Sequence, residues 1–296
     1  MHIYFSDHIE LTLPKKHKFP MPKYRLLHER VAAMRLGKLI AATPVIDAEL
    51  GLVHSAEYIH RVKHCLLTPK ETRRIGFPNI PAMYKRAIHS VGGTVCAARA
   101  AVQDGASAHL AGGTHHAHHD WGQGFCVFND VMVASRILQA QTAIERILVI
   151  DLDTHQGNGT AVLAADDSTI FTFSMHGARN FPFHKATSDF DVPLPSGTED
   201  AAYLEALEQS LWRVLTLARA DFVFYLSGAD PYVGDRFGKL RLTKAGLAAR
   251  DLMVCEAVQT AGLPLALCMG GGYAKNVDDI VDIYATTVAT VAGQYA

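Results

Sequence analysis

The stretch from Glu145 to Thr160, ERILVIDLDTHQGNGT, constrains the fold more than any other part of this chain. Its apolar run, Ile147 to Ile150, reads as a buried strand that ends at once in Asp151, Asp153 and His155. Buried carboxylates are costly unless they bind a cation or one another. Alternate residues of a strand share a side, so the three side chains face one way if the extended conformation continues. Gly157 and Gly159 then let the backbone turn sharply and approach a ligand closely.

The rest of the chain supplies a sheet around this strand. Met1 to Phe5 reads as a short first strand. Tyr24 to Ile40 has helical spacing in Leu26, Leu27, Val31, Met34 and Leu36, and His54 to Cys65 reads as a short helix with Ser55 near its start. Thr68 to Pro81, TPKETRRIGFPNIP, reads as a polar loop, and Pro81 suits the start of a helix running to Asp104. Further strands are expected at 108–111, 146–150, 168–174, 221–226 and 265–269. Helices are expected at 129–141, 199–218 (with Thr198 as its cap), 244–261 and 277–291. Strands alternating with helices predict an α/β domain with a largely parallel sheet covered on both faces.

Composition narrows the setting. No Pro/Ser-rich or charged linker divides the 296 residues, so residues 1–296 are expected to form a single domain. A formal net charge of −1 argues against general attraction to nucleic acid or to a membrane surface. No apolar stretch approaches a membrane span, and MHIYFSDHIE lacks the apolar run of a signal peptide. The cysteines, Cys65, Cys96, Cys126, Cys255 and Cys268, are odd in number and lack CxxC spacing. They suit a reduced, cytoplasmic protein rather than a disulfide scaffold.

In open α/β sheets, ligands bind beyond the carboxyl ends of the strands. Four strands here end on unusual chemistry: AGGTHHAHHDWGQGF (111–125), Asp151 with Asp153 and His155, the SGADP run with Asp230, and Gly270-Gly271-Gly272-Tyr273. Asp153, His155 and Asp230 form a set of two carboxylates and one imidazole, the three-ligand pattern of a catalytic zinc centre, compatible also with Fe(II) or Co(II). Water activated at such a centre needs a base and a leaving amine needs an acid, roles open to the tandem His115-His116. Each imidazole needs a partner on its other nitrogen, and Asp151 and Asn158 are the candidates. The bland readings are solvated loop histidines, a helix-capping Asp230 and a packing Tyr273. In the site reading, the Tyr273 hydroxyl donates to a carbonyl oxygen as charge develops on it. The glycines let the backbone crowd a small pocket, and Phe125, beside Gly124, with Phe181 or Phe183 could wall an apolar channel. His118 and His119 read as loop residues without a role.

GTHHAHHDWGQGFCVFNDV, DLDTHQGNGT, SGADPYVGDRFGKLRLT and GGGY occur in the order and context of the zinc-dependent histone deacetylase family, which this chain resembles from about residue 17 to its last helix. DLDTHQGNG and GTEDAAYLEAL look most like the class IV branch and its bacterial relatives. The resemblance implies an arginase-like, three-layer α/β/α fold with a central, mainly parallel eight-stranded sheet. It implies Zn2+ on Asp153, His155 and Asp230, with His116 as the general acid/base, Asp151 supporting His115 and Asn158 supporting His116. It implies that Tyr273 polarises the substrate carbonyl, and that Gly124, Phe125, Phe181, Gly271 and Gly272 shape the channel. A potassium ion (K+) is implied at Asp151, Asp153, His155, Ser174 and Met175, largely through backbone oxygens. The implied reaction is hydrolysis of an N-acyl amide, an acetylated lysine or similar acylated amine.

Departures from the family pattern bear on this. Asn158 stands where several relatives have Asp, which removes a negative charge beside His116 and should make it less basic. Gln156 replaces a common second His, as in class IV. RRIGFPNIP holds no Asp to match the one some relatives use to grip a peptide backbone. Alternatives are an acetylpolyamine deacetylase, a longer-chain lysine deacylase, a two-manganese ureohydrolase and a catalytically silent acyl-lysine binder. The single Asp-Pro motif and Asn158 argue against the ureohydrolase, and the complete ligand set with Tyr273 argues against the binder.

Overall fold

The computed structural model describes residues 1–295. In chain order the elements are β1 (His2–Phe5), α1 (Lys23–Met34), β2 (Lys38–Ala41), α2 (Asp47–Leu50), α3 (Ala56–Lys63), α4 (Pro69–Ile75), α5 (Pro81–Asp104), β3 (Ala106–His109), α6 (Asp130–Gln141), β4 (Ile147–Asp151), α7 (Asn158–Ala164), β5 (Ile170–Gly177), β6 (Phe190–Leu194), α8 (Asp200–Ala218), β7 (Phe222–Ser227), α9 (Lys244–Thr260), β8 (Leu265–Met269) and α10 (Val277–Gln294). The strands form one eight-stranded sheet in the order β2-β1-β3-β8-β7-β4-β5-β6. Every neighbouring pair in it is parallel.

Side-chain alternation sends each central strand to two cores. Leu148, Ile150, Val223, Tyr225, Leu265 and Leu267 pack one face against α1, α8, α9 and α10, through Leu27, Leu207, Val254 and Ile283. Ile147, Val149, Phe222, Phe224, Ala266 and Cys268 pack the other against α3, α5 and α6, through Tyr58, Val95 and Val131. Burial on both faces is why β4 and β7 are continuous apolar runs rather than alternating ones. Parallel pairing brings the carboxyl ends of β3, β4, β7 and β8 to one edge. Among the described residues, no helix is long and apolar enough to cross a membrane.

The structure revises several expected boundaries. The helix expected over 24–40 ends at Met34, where Arg35 turns left-handed (φ 54°). Leu39 and Ile40 instead join the edge strand β2 beside β1. The expected loop 68–81 contains α4, begun by a reciprocal cap in which Thr68 Oγ1 accepts from Glu71 N (3.3 Å) and Glu71 Oε2 accepts from Thr68 N (2.8 Å). Thr198 does not cap α8: its hydroxyl donates to Pro195 O at 2.8 Å, and Glu199 holds the cap position. α7 and β6 were not foreseen; α7 is a single short run beginning at Asn158, and β6 is a largely half-buried edge strand containing Pro193.

Candidate active site

The extended conformation stops at Asp151, so the three ligand-type residues after β4 do not share one face. Asp151 Oδ1 accepts from Asp153 N at 3.1 Å, and Asp153 Oδ1 accepts from His155 N at 2.8 Å. These side-chain-to-backbone bonds curl the chain and separate the side chains. Asp151 turns its other oxygen to His115 Nδ1, 2.6 Å away. Asp153 and His155 turn to Asp230, beyond the end of β7: His155 Nδ1 lies 3.0 Å from Asp153 Oδ1 and 2.9 Å from Asp230 Oδ2.

Asp153, His155 and Asp230 are all buried, and their ligand-type atoms lie within 4.8 Å of one another. Burial and then the neighbouring Asp153 charge lift the Asp230 pKa to about 7. Burial opposes a charged His155, but hydrogen bonds to Asp153 and Asp230 outweigh it and lift that pKa to about 10. Two buried carboxylates thus gather positive charge onto the imidazole between them. A divalent cation would relieve the same repulsion, and the oxygen/nitrogen donor set fits one. The triglycine closes over this cluster. Gly271 N donates to Asp153 Oδ2, and a Cβ at Gly271 would fall 2.1 Å from Asp230 Oδ2. Tyr284 anchors the same turn by donating to Gly270 O at 2.7 Å.

His115 and His116 sit on the loop after β3, with ring centroids 4.1 Å apart. The loop is held from beneath by Asp130, at the start of α6. Its carboxylate accepts from Gly113 N (2.9 Å), Thr114 N (2.7 Å), Thr114 Oγ1 (2.6 Å) and Thr94 Oγ1 (2.6 Å). Burial works against a charged His115, but the Asp151 carboxylate prevails and raises its pKa to about 9. His116 goes the other way. Burial, and then the charge of His115, hold it well below the ordinary histidine value. Its Nδ1 lies 2.8 Å from Asn158 Oδ1, which leaves Nε2 available to the cavity. The adjacent pair therefore divides into one cationic and one neutral imidazole.

His118, read from the sequence as a loop residue without a role, orients this arrangement. Its Nε2 lies 3.2 Å from Asn158 Nδ2 and its ring stacks on Trp121 at 3.8 Å. With the amide nitrogen donating to His118, Oδ1 must face His116, so the neutral His116 carries its proton on Nδ1. His119 does act locally, pairing Nδ1 with Val53 O at 2.6 Å.

Tyr273 lines the cavity beside His155, its ring 6.5 Å from the imidazole. Burial, and then Asp153 and Asp230, push its pKa well above 10, so it remains a hydroxyl donor. Asp235 fixes the Tyr273 backbone by accepting its N–H at 2.6 Å. A cavity of about 470 Å³ opens outward from His116, His155 and Tyr273 past Gly124, Phe125, Phe181 and Phe237. Phe181 meets His116 edge-on at 5.0 Å, and Phe125 lies 5.8 Å from Tyr273. Gly124 adopts φ +56°, and a Cβ there would lie 2.7 Å from His116 Cδ2. Gly272 departs from its expected place in the channel: it packs towards Ile280 and Ala229, and its carbonyl accepts from the buried Lys23 at 3.3 Å. Behind the cluster, a smaller cavity of about 40 Å³ is bounded by His115, Cys126, Asp153, Gly271 and Tyr273. Ser174 is paired in register with Asp151, which puts Ser174 and Met175 at the same sheet edge.

Asp130, His118, Asp235, Phe237 and Lys23 are the supporting residues the sequence did not announce. Asn129-Asp130 stands at a helix start, His118 shares the loop of the histidine pair, and Asp235 and Phe237 follow Asp230 in the same run; only Lys23 comes from a segment apart from the site motifs.

The histone deacetylase domain model matches residues 17–290. The chain belongs to the histone deacetylase family. Members of the family are deacetylases, and this chain is accordingly a deacetylase or amidohydrolase enzyme acting hydrolytically on an acetylated substrate. An uncharacterised protein of Picosynechococcus is 43% identical over 282 residues, covering 94% of both chains. Histone deacetylase 2 of Arabidopsis thaliana is 31% identical over 237 residues, covering 77% of this chain and 61% of its own length. The crystal structure of an HDAC homolog from Aquifex aeolicus matches with a TM-score of 0.84 at 26% identity, covering 99% of this chain and 83% of that one. The family's fold is thus the arginase/deacetylase fold expected from the sequence, in an all-parallel rather than mainly parallel form.

Proposed function

We propose that this histone deacetylase family member hydrolyses the N-acetyl or a similar short N-acyl amide of a lysine or other primary amine, with Zn2+ held by Asp153, His155 and Asp230. One observation carries the reading: the buried carboxylate–imidazole cluster lies at the inner end of an apolar cavity, flanked by a neutral His116 and by the Tyr273 hydroxyl. A divalent cation bound there supplies a Lewis acid beside the scissile carbonyl and eases ionisation of water.

The chain's own residues do the rest. Phe125 and Phe181 wall a passage suited to an aliphatic amine stem and exclude water from it. His116 takes the proton of the attacking water on Nε2, while Asn158 holds its Nδ1 proton in place. The same nitrogen then returns the proton to the departing amine. His115, paired with Asp151, keeps positive charge beside the developing oxyanion. Tyr273 donates its hydroxyl to that oxygen. The inner cavity of about 40 Å³ has room for a few water-sized groups, which favours a short acyl chain. A K+ ion at the Asp151, Asp153, His155, Ser174 and Met175 turn would steady the backbone that presents the ligands; these residues are buried at adjacent ends of β4 and β5.

Tyr273→Phe is expected to lower kcat on an Nε-acetyl-lysine peptide by about 10²–10³-fold, with the metal content of the protein unchanged. Undiminished turnover in that variant would remove Tyr273 from the mechanism.

A further inference from the structure

The mouth of the cavity carries an excess of positive charge. Arg74, Arg179 and Lys239 line the outer cavity, and no carboxylate does. Lys18 stands 5.6 Å over the Phe237 ring, which forms part of the same wall. Lys185 Nζ donates to Asn180 O at 2.6 Å, beside Phe181. Among the described residues, none of these five cations lies within ion-pair distance of a carboxylate, whereas Arg25, Arg30, Lys63 and Arg136 do find acidic partners elsewhere on the surface. Two acidic side chains close to this rim are engaged inward. Asp235 accepts from the backbones of Phe237, Gly238 and Tyr273, and Asp191 accepts from Gln156 and Ser188.

Arg74 and Lys239 are also held in place. Arg74 donates to Gly122 O at 3.2 Å with its guanidinium 4.2 Å over the Trp121 ring, and Lys239 Nζ donates to Arg179 O at 2.7 Å. Burial and then the Lys239 charge lower the Lys185 pKa, against a smaller opposing pull from Asp191. With a whole-chain charge of −1, this is a local concentration and not a general bias. A cleft lined by one sign of charge focuses its field on the entrant and raises association of the opposite charge by about 10–10³-fold. It repels the like charge in the same way.

We propose that this mouth selects acylated amines in negatively charged surroundings: an acetylated lysine within an acidic segment, or an acidic small molecule, rather than a cationic acetylpolyamine. The inference rests on the amide-hydrolase reading for its chemistry and on the rim residues for its selectivity.

The test uses the zinc-loaded full chain and three labelled peptides of equal length. Each has a central Nε-acetyl-lysine, flanked by Glu, by Gln or by Lys. Nα-succinyl-Nε-acetyl-lysine and N-acetylspermidine are the small-molecule arms. Both kcat/KM and Kd are measured at low salt and at high salt. The expected order is Glu over Gln over Lys, with Glu and Lys separated by about tenfold or more at low salt and the gap largely closed by salt screening. The doubly substituted Arg179→Glu, Lys239→Glu protein should invert the Glu-to-Lys ratio; taking the ratio within each protein cancels any general loss. Turnover of the succinyl compound near that of the Glu peptide would identify the small acidic substrate, and much lower turnover the acidic segment. Equal values across the peptides, preference for the Lys peptide or for N-acetylspermidine, or a ratio indifferent to the double substitution would overturn the proposal. If no amide is cleaved, the hydrolase reading fails, and the Kd order still decides this one: Glu tightest upholds it, equal affinities overturn it.

Discussion

Asp130→Asn tests how the histidine pair is held. The wild-type carboxylate serves two backbone N–H groups and two hydroxyls in a fully buried setting. Asparagine has the same shape but one acceptor oxygen. It can satisfy Gly113 N or Thr114 N, but its NH2 then faces the other. A hydroxyl can rotate away from that clash, whereas a backbone N–H cannot. One stranded buried donor costs about 1–3 kcal/mol, and loss of charge assistance on the remaining bonds adds roughly 1 more. The expected destabilisation is therefore about 2–4 kcal/mol, or a Tm lower by roughly 3–6 °C for a chain of this size. Thr114 directly precedes His115, so the loop shifts where His115 and His116 are carried. A displacement near 1 Å costs about 10²-fold in rate, so kcat should fall far more than KM changes. Thermal unfolding and steady-state deacetylation of an acetyl-lysine peptide measure both effects. A variant with an unchanged Tm and unchanged kcat would refute the assignment of Asp130 as the support of this loop.

Two further outcomes follow from the geometry. His54 is buried, with Nδ1 on His118 O (2.9 Å) and Nε2 accepting from Asn129 N (2.9 Å), and burial lowers its pKa from 6.5 to about 4. The unfolded chain takes up that proton below about pH 6.5 and the folded chain only near 4, so stability falls as pH drops through this window, by about 3 kcal/mol at most. The slope of unfolding free energy against pH over that range should be shallower in His54→Gln, and an identical slope would contradict the assignment. Gly271→Ala would drive a methyl group to 2.1 Å from Asp230 Oδ2. It is expected to lose bound zinc on dialysis while the wild-type chain retains it, and equal retention would show that the turn can yield.

The sheet was legible because β4, β7 and β8 are uninterrupted apolar runs, and burial on both faces leaves such runs few alternatives. The site was legible where strand ends carried costly groups: Asp153, His155, Asp230, the histidine pair and Tyr273 converge as their placement on a parallel edge requires. Elements stabilised by something other than an apolar pattern were obscure. α4 rests on a Thr68–Glu71 cap inside what read as a polar loop, and β6 is a half-buried edge. The single-face reading of Asp151, Asp153 and His155 gave way because aspartate side chains capture backbone N–H groups two residues on. Support from distant segments left no local trace. His118 reaches Asn158 across 40 residues, and Asp235 reaches Tyr273 across 38.

Asp153, His155 and Asp230 are proposed to hold one catalytic divalent cation. The most direct test is titration of Zn2+ into chelator-stripped protein, followed in parallel by calorimetry and by hydrolysis of an acetyl-lysine peptide. One tight site is expected, with activity rising in step with its occupancy, and both are lost in Asp230→Ala. Full hydrolysis by the stripped protein, or tight zinc binding and activity that both survive Asp230→Ala, would contradict the proposal.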